Sequence, residues 1–459
     1  MSESHPKPRP GNVVKFDVES LNGKGMGIGS YSGYRVAVRG GIPGDRVKAR
    51  IRKVRNRDRE GEARIVERLS EQIDRIEPEC VHFGVCGGCL WQDLAYPEQI
   101  RLKEQLVRDA LKPKSSVAIG ETLRSPDPYG YRNKMEFSFG HSSEGGVEIG
   151  LHPAGQFGRI FDLEVCSLMR EPASAIVEEV RQFASEECLR AYDLRTHEGL
   201  LRFLTIREAT ATGEIMVIVT TSAEPFEKAR TLADRLCGRF PSVKSVIHTI
   251  NREKAQVAYG SESVVLSGTE TIHDTLGDYG FVVSPSSFSQ PNARQAASMF
   301  ERVVSLCELS GSERVLDAYC GTGGISLFLA GHAERVVGVE VSEEAIGDAV
   351  ANSARNGVRN VAFMAGPAEN LLGQLCGQGE RFDVAVTDPP RSGMHHKAIR
   401  GLIDLQPRRI VYVSCNPTAL AADVSTLQAH GYALNFLQLV DMLPQTPHCE
   451  VLARLDKVL

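Results

Sequence analysis

The sequence contains no uninterrupted apolar stretch of the roughly 18 residues that a membrane-spanning helix needs, and no internal repeat or low-complexity tract. Its first ten residues are polar and rich in proline, unlike the hydrophobic region of a secretory signal peptide. These absences argue against a membrane protein, and we expect a cytoplasmic monomer. With 459 residues, the chain is long enough for two to four domains.

Disulfide bonds are not expected either. The eleven cysteines are an odd number, dispersed along a chain without an export signal, which favours reduced thiols or metal ligands. Cys80, Cys86 and Cys89 lie within ten residues, and the intervening glycines allow their loop to wrap around a ligand. This spacing, completed by a distant cysteine, suits either zinc or a [4Fe-4S] cluster. A metal-free group of buried thiols is the third alternative, although clustered thiols oxidise readily. The nearest candidates for a fourth ligand are Cys166, Cys188 and Cys237.

Positive charge is in deficit overall, with a formal net charge of −5, but it is concentrated at the start of the chain. Residues 1–66 carry 15 Lys and Arg against 7 Asp and Glu, whereas the remainder carries 38 against 51. Short apolar runs between glycine turns predict a five-stranded barrel of the OB type at residues 11–66. In residues 46–52 cations alternate with apolar residues, which indicates a basic strand face suited to the phosphates of a nucleic acid. That basic stripe consists of Arg46, Lys48, Arg50 and Arg52.

The middle of the chain predicts a mixed α+β domain. Residues 97–111 have the apolar spacing of an amphipathic helix, and residues 201–206 with 214–219 have the pattern of a hairpin. Residues 131–137 interleave aromatic with cationic side chains, among them Arg132 and Lys134, which suits contact with a nucleotide. A plain polar strand explains the same composition equally well.

A glycine-rich turn follows a strand candidate near residue 317. Residues 315–324 combine a short apolar run, an acid and a turn in which three of four residues are glycine, as where a parallel strand leads into a helix. The next strand candidate ends at Glu340, an acid suited to a pair of ribose hydroxyls. A nicotinamide dinucleotide site is one interpretation. However, Ser326 stands where the third glycine of GxGxxG is required.

Two later strand candidates, residues 382–388 and 409–415, end in polar motifs. The first leads into Asp388-Pro-Pro-Arg391 and the second into Ser414-Cys415-Asn416-Pro417. Because ligands bind at the carboxyl ends of parallel strands, we expect these groups to converge with Glu340. This order of parts favours an S-adenosylmethionine-dependent methyltransferase over a dehydrogenase. Residues 432–441 and 450–458 predict antiparallel strands at the edge of the sheet.

Together these motifs resemble those of the RNA uracil-5-methyltransferases, which form 5-methyluridine in transfer or ribosomal RNA. The resemblance covers nearly the whole chain and includes the barrel, the three-cysteine loop, Phe-Ser-Gln-Pro-Asn at residues 288–292, the strand-end motifs and His448-Cys449-Glu450. It implies a TRAM-type RNA-binding barrel at residues 10–68 and an α+β central domain at residues 69–275. A Rossmann-like class I methyltransferase domain, with a mostly parallel sheet and an antiparallel edge hairpin, would occupy residues 276–459.

The resemblance also implies roles for individual residues. Cys415 would be the nucleophile and Glu450 the base. Phe288 would stack on an unstacked base, and Arg132, Lys134 and the basic stripe would contact RNA. S-adenosylmethionine would be bound by Gln290, Tyr319, Gly321, Glu340 and Asp388. A [4Fe-4S] cluster would be bound by Cys80, Cys86, Cys89 and Cys166. One departure is Gly366-Pro367, where members of the family often carry an acidic or amide side chain near the adenine.

The chemistry of uracil agrees with these roles. C5 of uracil is a poor nucleophile, so a thiolate must first add to C6, which turns the ring into an enolate whose C5 attacks the sulfonium methyl. A carboxylate must then remove the surplus proton from C5. We expect Asp388 to remain charged and to orient uracil or cofactor. The alternatives are an RNA cytosine-5-methyltransferase, which uses the same thiolate, and a catalytically silent RNA-binding iron-sulfur protein.

Overall fold

The computed structural model describes residues 6–142, 145–156 and 158–458. These residues form a small barrel, a central sheet with helices and a larger C-terminal sheet flanked by helices, so the predicted α/β architecture is confirmed. Among them, no helix has both the length and the hydropathy that crossing a lipid bilayer requires.

The first part of the chain closes into the predicted barrel. The predicted alternation in its fourth strand is confirmed, because Val47, Ala49 and Ile51 are buried in the barrel core while Arg50 and Arg52 are exposed. Neighbouring strands follow the order β1-β2-β3-β5-β4. The strands are β1 (Val13–Leu21), β2 (Gly27–Tyr31), β3 (Tyr34–Arg39), β4 (Arg46–Arg55) and β5 (Glu60–Ser70).

Carboxylates on neighbouring strands interrupt the basic stripe, which is therefore less uniform than expected. Arg46 Nε lies 3.7 Å from Asp17 Oδ1, and Lys48 Nζ lies 3.2 Å from Glu67 Oε2. The pairing of β4 with β1 and β5 sets these acids directly opposite the cations, which the alternation within one strand does not reveal. Within the described ranges, Arg50 and Arg52 form no ion pair and remain the free end of the stripe.

The central sheet has the strand order β13-β12-β11-β10-β7-β8-β9. The predicted hairpin is confirmed as the antiparallel pair β10 and β11. Helices α2 and α3 bury their apolar faces in a common core with this sheet. After α1 (Tyr96–Leu111) and the short β6 (Ala118–Ile119), the elements in chain order are β7 (Lys134–His141), β8 (Val147–Leu151), β9 (Phe161–Asp162), α2 (Ala173–Glu186), β10 (Leu201–Glu208), β11 (Ile215–Thr221), α3 (Ala229–Arg239), β12 (Val243–Ile250) and β13 (Glu262–Gly268).

The C-terminal sheet has the order β18-β17-β16-β19-β20-β22-β21-β6. Strands β16 to β20 are parallel, and β22 runs antiparallel to both β20 and β21, which confirms the predicted edge pair. The elements are the hairpin β14 (Ile272–Leu276) and β15 (Tyr279–Val283), then α4 (Ala293–Cys307), β16 (Arg314–Ala318), α5 (Gly324–Ala330), β17 (Arg335–Glu340), α6 (Glu343–Arg355), β18 (Val361–Ala365), α7 (Ala368–Gly377), β19 (Val384–Thr387), α8 (His396–Leu405), β20 (Arg409–Ser414), α9 (Pro417–Ala429), β21 (Tyr432–Val440) and β22 (Glu450–Lys457).

Two elements from an earlier part of the chain pack on the C-terminal sheet. Strand β6 pairs in parallel with β21, and Val107 of α1 shares a hydrophobic core with Leu437 of β21. The division expected from the sequence assigns both elements to the central domain. An amphipathic pattern specifies that a helix buries one face, but it does not identify the surface that covers it.

The segment between β21 and β22, residues 441–449, is held from three sides. Lys103 of α1 forms a fully buried ion pair with Asp441. Gln445 accepts hydrogen bonds at its carbonyl oxygen from the N–H groups of Leu90 and Trp91, which follow the clustered cysteines. The barrel reaches the same segment, because a Cβ on Gly25 would overlap Pro447. We refer to these residues as the 441–449 segment.

Candidate active site

One cleft of about 1810 Å³ brings together most of the predicted site residues. Residues of the cysteine loop, the central sheet and the C-terminal sheet all line it. The basic stripe on β4 lies outside it. The predicted residues in its lining are Cys80, Cys86, Cys89, Arg132, Lys134, Cys166, Phe288, Gln290, Tyr319, Gly321, Glu340, Asp388, Cys415 and Glu450.

The glycine-rich turn between β16 and α5 forms one wall of the cleft. Gly321 and Gly323 adopt positive φ angles of 54° and 83°, as the turn predicted from the sequence requires. The N–H of Gly321 donates to Glu340 Oε2 at 3.2 Å, which orients the acid at the tip of β17. No atom lies within 4 Å of the position that a Cβ on Gly321 would take, so this backbone faces open space. A ligand can therefore approach the main chain closely.

Ser326, which replaces the third glycine of the dinucleotide pattern, has a different structural role. Its hydroxyl donates to Asp317 Oδ2 at 2.5 Å, and both side chains are fully buried. Burial raises the pKa of Asp317 to about 7, and the hydrogen bond from Ser326 opposes that rise. The serine thus stabilises a buried acid beneath the turn.

The surroundings of Asp388 oppose the permanent charge that was expected for it. Burial is the main cause that raises its pKa to about 7, and the charge of Asp317 raises it further. The two acids come close because β16 and β19 are neighbouring strands, and the N–H of Asp388 donates to Ala318 O at 3.2 Å. Burial and the neighbouring acid therefore favour the protonated form of Asp388 relative to an exposed carboxylate.

The central sheet holds the loop that carries Phe288 and Gln290. The buried guanidinium of Arg207 on β10 donates to Ser284 O at 2.5 Å, and Asn133 Nδ2 donates to Gln290 O at 2.9 Å. Phe288 is 68% exposed although it is a large apolar side chain, and it lines the cleft. This loop is thus fixed at both ends while its aromatic ring remains available to a ligand.

Cys415 and Glu450 lie at adjoining strand ends. Cys415 directly follows β20 and Glu450 begins β22, and the antiparallel register sets Ser414 opposite Val451. Asn416, the residue after the thiol, donates from Nδ2 to Arg391 O at 2.9 Å. A direct hydrogen bond therefore links the Asp388-Pro-Pro-Arg391 turn to the turn that carries Cys415.

Burial and opposing charges set the protonation of this pair. Burial raises the pKa of Cys415 to about 11, the Glu450 charge raises it further, and the Arg391 guanidinium lowers it. Burial also raises the pKa of Glu450 well above its usual range, together with the charge of Asp388, while Arg391 opposes both. Arg391 is thus a cation that favours the ionised form of both groups.

His448 lines the same cleft and is kept neutral. Burial lowers its pKa to about 4, and the positive charges of Arg391, Lys103 and Arg132 lower it further. Arg391 occurs within one of the motifs, yet nothing in its spacing assigns it an effect on Cys415. That effect depends on its distance from the thiol in the folded chain.

The four candidate ligand cysteines surround one end of the cleft. Burial raises the pKa of Cys89 to about 12, and the charges of Cys166, Cys86 and Cys80 raise it further, so the four thiols are electrostatic neighbours. The barrel holds this loop, because Arg39 Nη2 donates to Cys89 O at 3.2 Å. Among the described residues, no group of three or more His, Cys, Asp or Glu side chains has the geometry to bind a single metal ion.

Comparison with known families gives two matches, which leave residues 65–94 between them unmatched. Residues 95–458 match the family described as tRNA (Uracil-5-)-methyltransferase, and residues 8–64 match the TRAM domain. An uncharacterized RNA methyltransferase of Halalkalibacterium halodurans is 37% identical over 459 residues, covering 99% of each chain. Another, from Bacillus cereus, is 35% identical over 443 residues and covers 96% of this chain and 95% of its own.

A solved structure resembles the chain over almost its full length. It is the tRNA (uracil-54, C5)-methyltransferase of Pyrococcus abyssi in complex with S-adenosyl-L-homocysteine. The TM-score is 0.77 with 26% sequence identity, and the match covers 96% of this chain and 99% of that chain.

Replacing Arg391 with Gln should raise the pKa of Cys415 above about 11, because the cation that opposes the burial of its thiolate is lost. A rise of about one in this pKa lowers the thiolate fraction about tenfold, so alkylation by neutral iodoacetamide at about pH 9 slows in proportion. The measurement is the alkylation rate of the Cys415 peptide by mass spectrometry across pH. The control Arg381→Gln removes an exposed arginine outside the cleft and should leave the rate unchanged. Equal rates in Arg391→Gln and the wild type would contradict this assignment.

Proposed function

The chain belongs to the tRNA (uracil-5-)-methyltransferase family, and from this premise we propose that it methylates C5 of a uridine in transfer or ribosomal RNA through a covalent adduct on Cys415. It is an S-adenosylmethionine-dependent RNA uracil-5-methyltransferase with an RNA-binding TRAM domain. The covalent route rests on one observation above all. A thiol and a carboxylate, Cys415 and Glu450, adjoin each other in the cleft that also contains the glycine-rich turn.

Gln290, Tyr319, Gly321, Glu340 and Asp388 would bind the cofactor. The exposed backbone of Gly321 and the oriented carboxylate of Glu340 fit a ligand with ribose hydroxyls and an extended chain. Glu340 keeps acceptor capacity in this arrangement, because a carboxylate has about four lone-pair sites. When bound, S-adenosylmethionine supplies the electrophilic methyl group of its sulfonium.

The Cys415 thiolate starts the reaction by adding to C6 of the target uracil. The sulfur–C6 bond forms as the C5–C6 double bond opens, and the electron pair spreads over C5 and the ring carbonyl as an enolate. Arg391 supports this step because its charge favours the thiolate over the thiol. Phe288, exposed on the same cleft, would stack on the base that has left the RNA helix.

Glu450 then removes the proton from C5 of the methylated adduct. The electron pair of that C–H bond restores the C5–C6 double bond, and the Cys415 sulfur leaves as thiolate. The raised pKa of Glu450 makes its carboxylate a stronger base than an exposed one. His448 is neutral and adds no charge that would compete with Arg391 in this pocket.

The substrate base is uracil and not cytosine according to the family to which the chain belongs. The presence of both Cys415 and Glu450 in one cleft also favours an active enzyme over a silent RNA-binding protein. Mapping 5-methyluridine in total RNA from cells with and without this protein would identify the RNA and the uridine.

We further propose that Cys80, Cys86, Cys89 and Cys166 hold a [4Fe-4S] cluster. Burial, together with the charges of neighbouring thiols, raises the pKa of Cys86, Cys89 and Cys166, so a strongly cationic partner is needed for these thiols to ionise together. Each cysteine of a cubane cluster binds a different iron atom.

Cys415→Ala and Glu450→Gln should separate the two halves of the reaction. Without the nucleophile, no covalent RNA complex forms and no methyl is transferred. Without the base, C6 addition and methyl transfer proceed but the C5 proton stays, so a denaturation-resistant protein–RNA adduct accumulates and turnover falls about 100-fold or more. RNA containing 5-fluorouridine at the target should trap the wild type in the same way, because fluorine cannot leave as a cation.

Denaturing gels with labelled RNA measure these outcomes. Cys376→Ala, which removes a half-buried thiol outside the cleft, is the control and should behave as wild type. A covalent complex in Cys415→Ala, or normal turnover in Glu450→Gln, would refute the role assigned to that residue.

Anaerobically purified protein should be brown and contain iron and acid-labile sulfide, and Cys86→Ser should lose both together with solubility. Absorption spectra and metal analysis provide the measurement. Cys188→Ser changes an exposed cysteine outside the cleft and should keep the iron. Stoichiometric zinc in a colourless, active protein would overturn the assignment of a cluster.

Reversing Arg50 and Arg52 to Glu should weaken RNA binding across sequences and reduce the salt slope of the affinity by about one for each lost phosphate contact. The paired reversal of Arg46 and Lys48 should have a smaller effect, because Asp17 and Glu67 already neutralise those cations. Filter binding of RNA at several salt concentrations measures the slopes, and cofactor affinity should stay constant. An unchanged slope in both variants would mean that the stripe does not contact RNA.

A further inference from the structure

The loop between β12 and β13 is held in place by side-chain hydrogen bonds to its backbone. The guanidinium of Arg202, which is 3% exposed, donates to Asn251 O at 2.9 Å, Glu253 O at 2.6 Å and Ala255 O at 2.6 Å. Asn251 Nδ2 in turn donates to Val257 O at 2.7 Å. A buried charged group that satisfies three carbonyl oxygens fixes the path of this loop.

The β12–β13 loop, held in this way, places Tyr259 at the cleft. On one side of Tyr259, Thr220 Oγ1 donates to Ala258 O at 2.8 Å. On the other side, Gly260 packs so closely on strand β12 that a Cβ would overlap Ile250 O. The Tyr259 side chain between these fixed points is 53% exposed and lines the cleft. The backbone is thus held on both sides of Tyr259, while about half of its side chain remains exposed.

One cationic side chain, Lys134, adjoins the ring and also forms an ion pair with Glu136 Oε1 at 2.8 Å. Lys134 Nζ lies 5.4 Å from the centroid of the Tyr259 ring and 3.4 Å from its hydroxyl. Arg132 Nε donates to the backbone oxygen of Lys134 at 3.2 Å, so the Arg132 side chain lies against the start of strand β7. An exposed aromatic ring offers the stacking surface that binds a base of a single-stranded nucleotide, and the ammonium group beside it adds a cation–π contact.

The distribution of exposed aromatic rings points to the same ligand. Among the large hydrophobic side chains that are exposed in the described part of the chain, two are aromatic, Phe288 and Tyr259, and both line this cleft. The cleft volume of about 1810 Å³ exceeds the roughly 300–1,000 Å³ of a site for one small ligand. The cleft therefore accommodates more than a cofactor and one base.

We propose that Tyr259 is a second base-stacking platform, which binds an unpaired nucleotide of the RNA next to the uridine held at Cys415. This inference rests on the proposed function and extends it to a subsite for the flanking nucleotide. Tyr259 selects RNA in which the neighbour of the target is unstacked, so it favours loops and bulges over regular helices. Because Glu136 already pairs with Lys134, we expect the stacking surface and not this charge to provide most of the affinity.

The test compares two labelled probes by fluorescence anisotropy, a single-stranded oligouridine of roughly 12 nucleotides and an abasic ribose-phosphate chain of the same length. The abasic chain keeps the charges but has no bases to stack. Tyr259→Ala should bind the oligouridine about 5- to 150-fold more weakly and the abasic chain as wild type does. Tyr259→Phe retains the ring and should bind both probes like the wild type.

Val257→Ala is the matched control, because Val257 belongs to the same loop and is 43% exposed but lies outside the cleft. It should bind both probes unchanged. Unchanged oligouridine binding by Tyr259→Ala would overturn the proposal. So would an equal loss on both probes, or a loss in Tyr259→Phe as large as in Tyr259→Ala, since either outcome removes stacking as the cause.

Covalent capture distinguishes this inference from the catalytic proposal. At saturating concentrations of 5-fluorouridine RNA, Tyr259→Ala should still form the adduct on Cys415, because stacking affects affinity and not the nucleophile. Absence of an adduct in the wild type would refute the role of Cys415. It would leave the comparison of the two binding probes intact.

Discussion

The buried ion pair between Lys103 and Asp441 is the contact on which the arrangement of the active site depends. Both side chains are fully buried, and Lys103 Nζ also donates to Leu443 O at 2.9 Å. Removing one partner and leaving the other charge buried costs about 3–5 kcal/mol, so helix α1 and the 441–449 segment must keep both side chains to pack as they do. Gln445, in the same segment, binds the cysteine loop, and Glu450 directly follows the segment. The Lys103–Asp441 pair therefore connects the cysteine loop, helix α1 and the catalytic base.

The sequence predicts the parts of the site that follow from local pattern. Asp388 and Cys415 were expected to converge with Glu340 because the carboxyl ends of parallel strands lie along one edge of a sheet, and all three line the cleft. The positive φ angles at Gly321 and Gly323 likewise agree with the glycine-rich turn. Alternation predicted the two faces of β4, because the period of a strand determines which side chains share a face.

The remaining features depend on neighbours that the sequence does not identify. Asp317, whose charge adds to the burial that raises the pKa of Asp388, lies 71 residues earlier and comes close only because their strands are adjacent. The loop that presents Tyr259 is held by Arg202, which is 49 residues away from its first contact, Asn251. Neither Arg202 nor the loop carbonyl oxygens that accept its hydrogen bonds belong to a local sequence pattern that would predict the contact. The position of α1 also depends on a surface formed by the last strands of the chain.

The close packing of Gly25 against Pro447 has a consequence for the independence of the barrel. Recognition domains are often exchanged between relatives to redirect an enzyme to another RNA, which requires a boundary that few contacts cross. Here a turn of the barrel fits against the residues that lead into Glu450, and any side chain at Gly25 would displace them. A transplanted barrel must therefore bring a glycine at this turn, or the graft alters catalysis together with the choice of target.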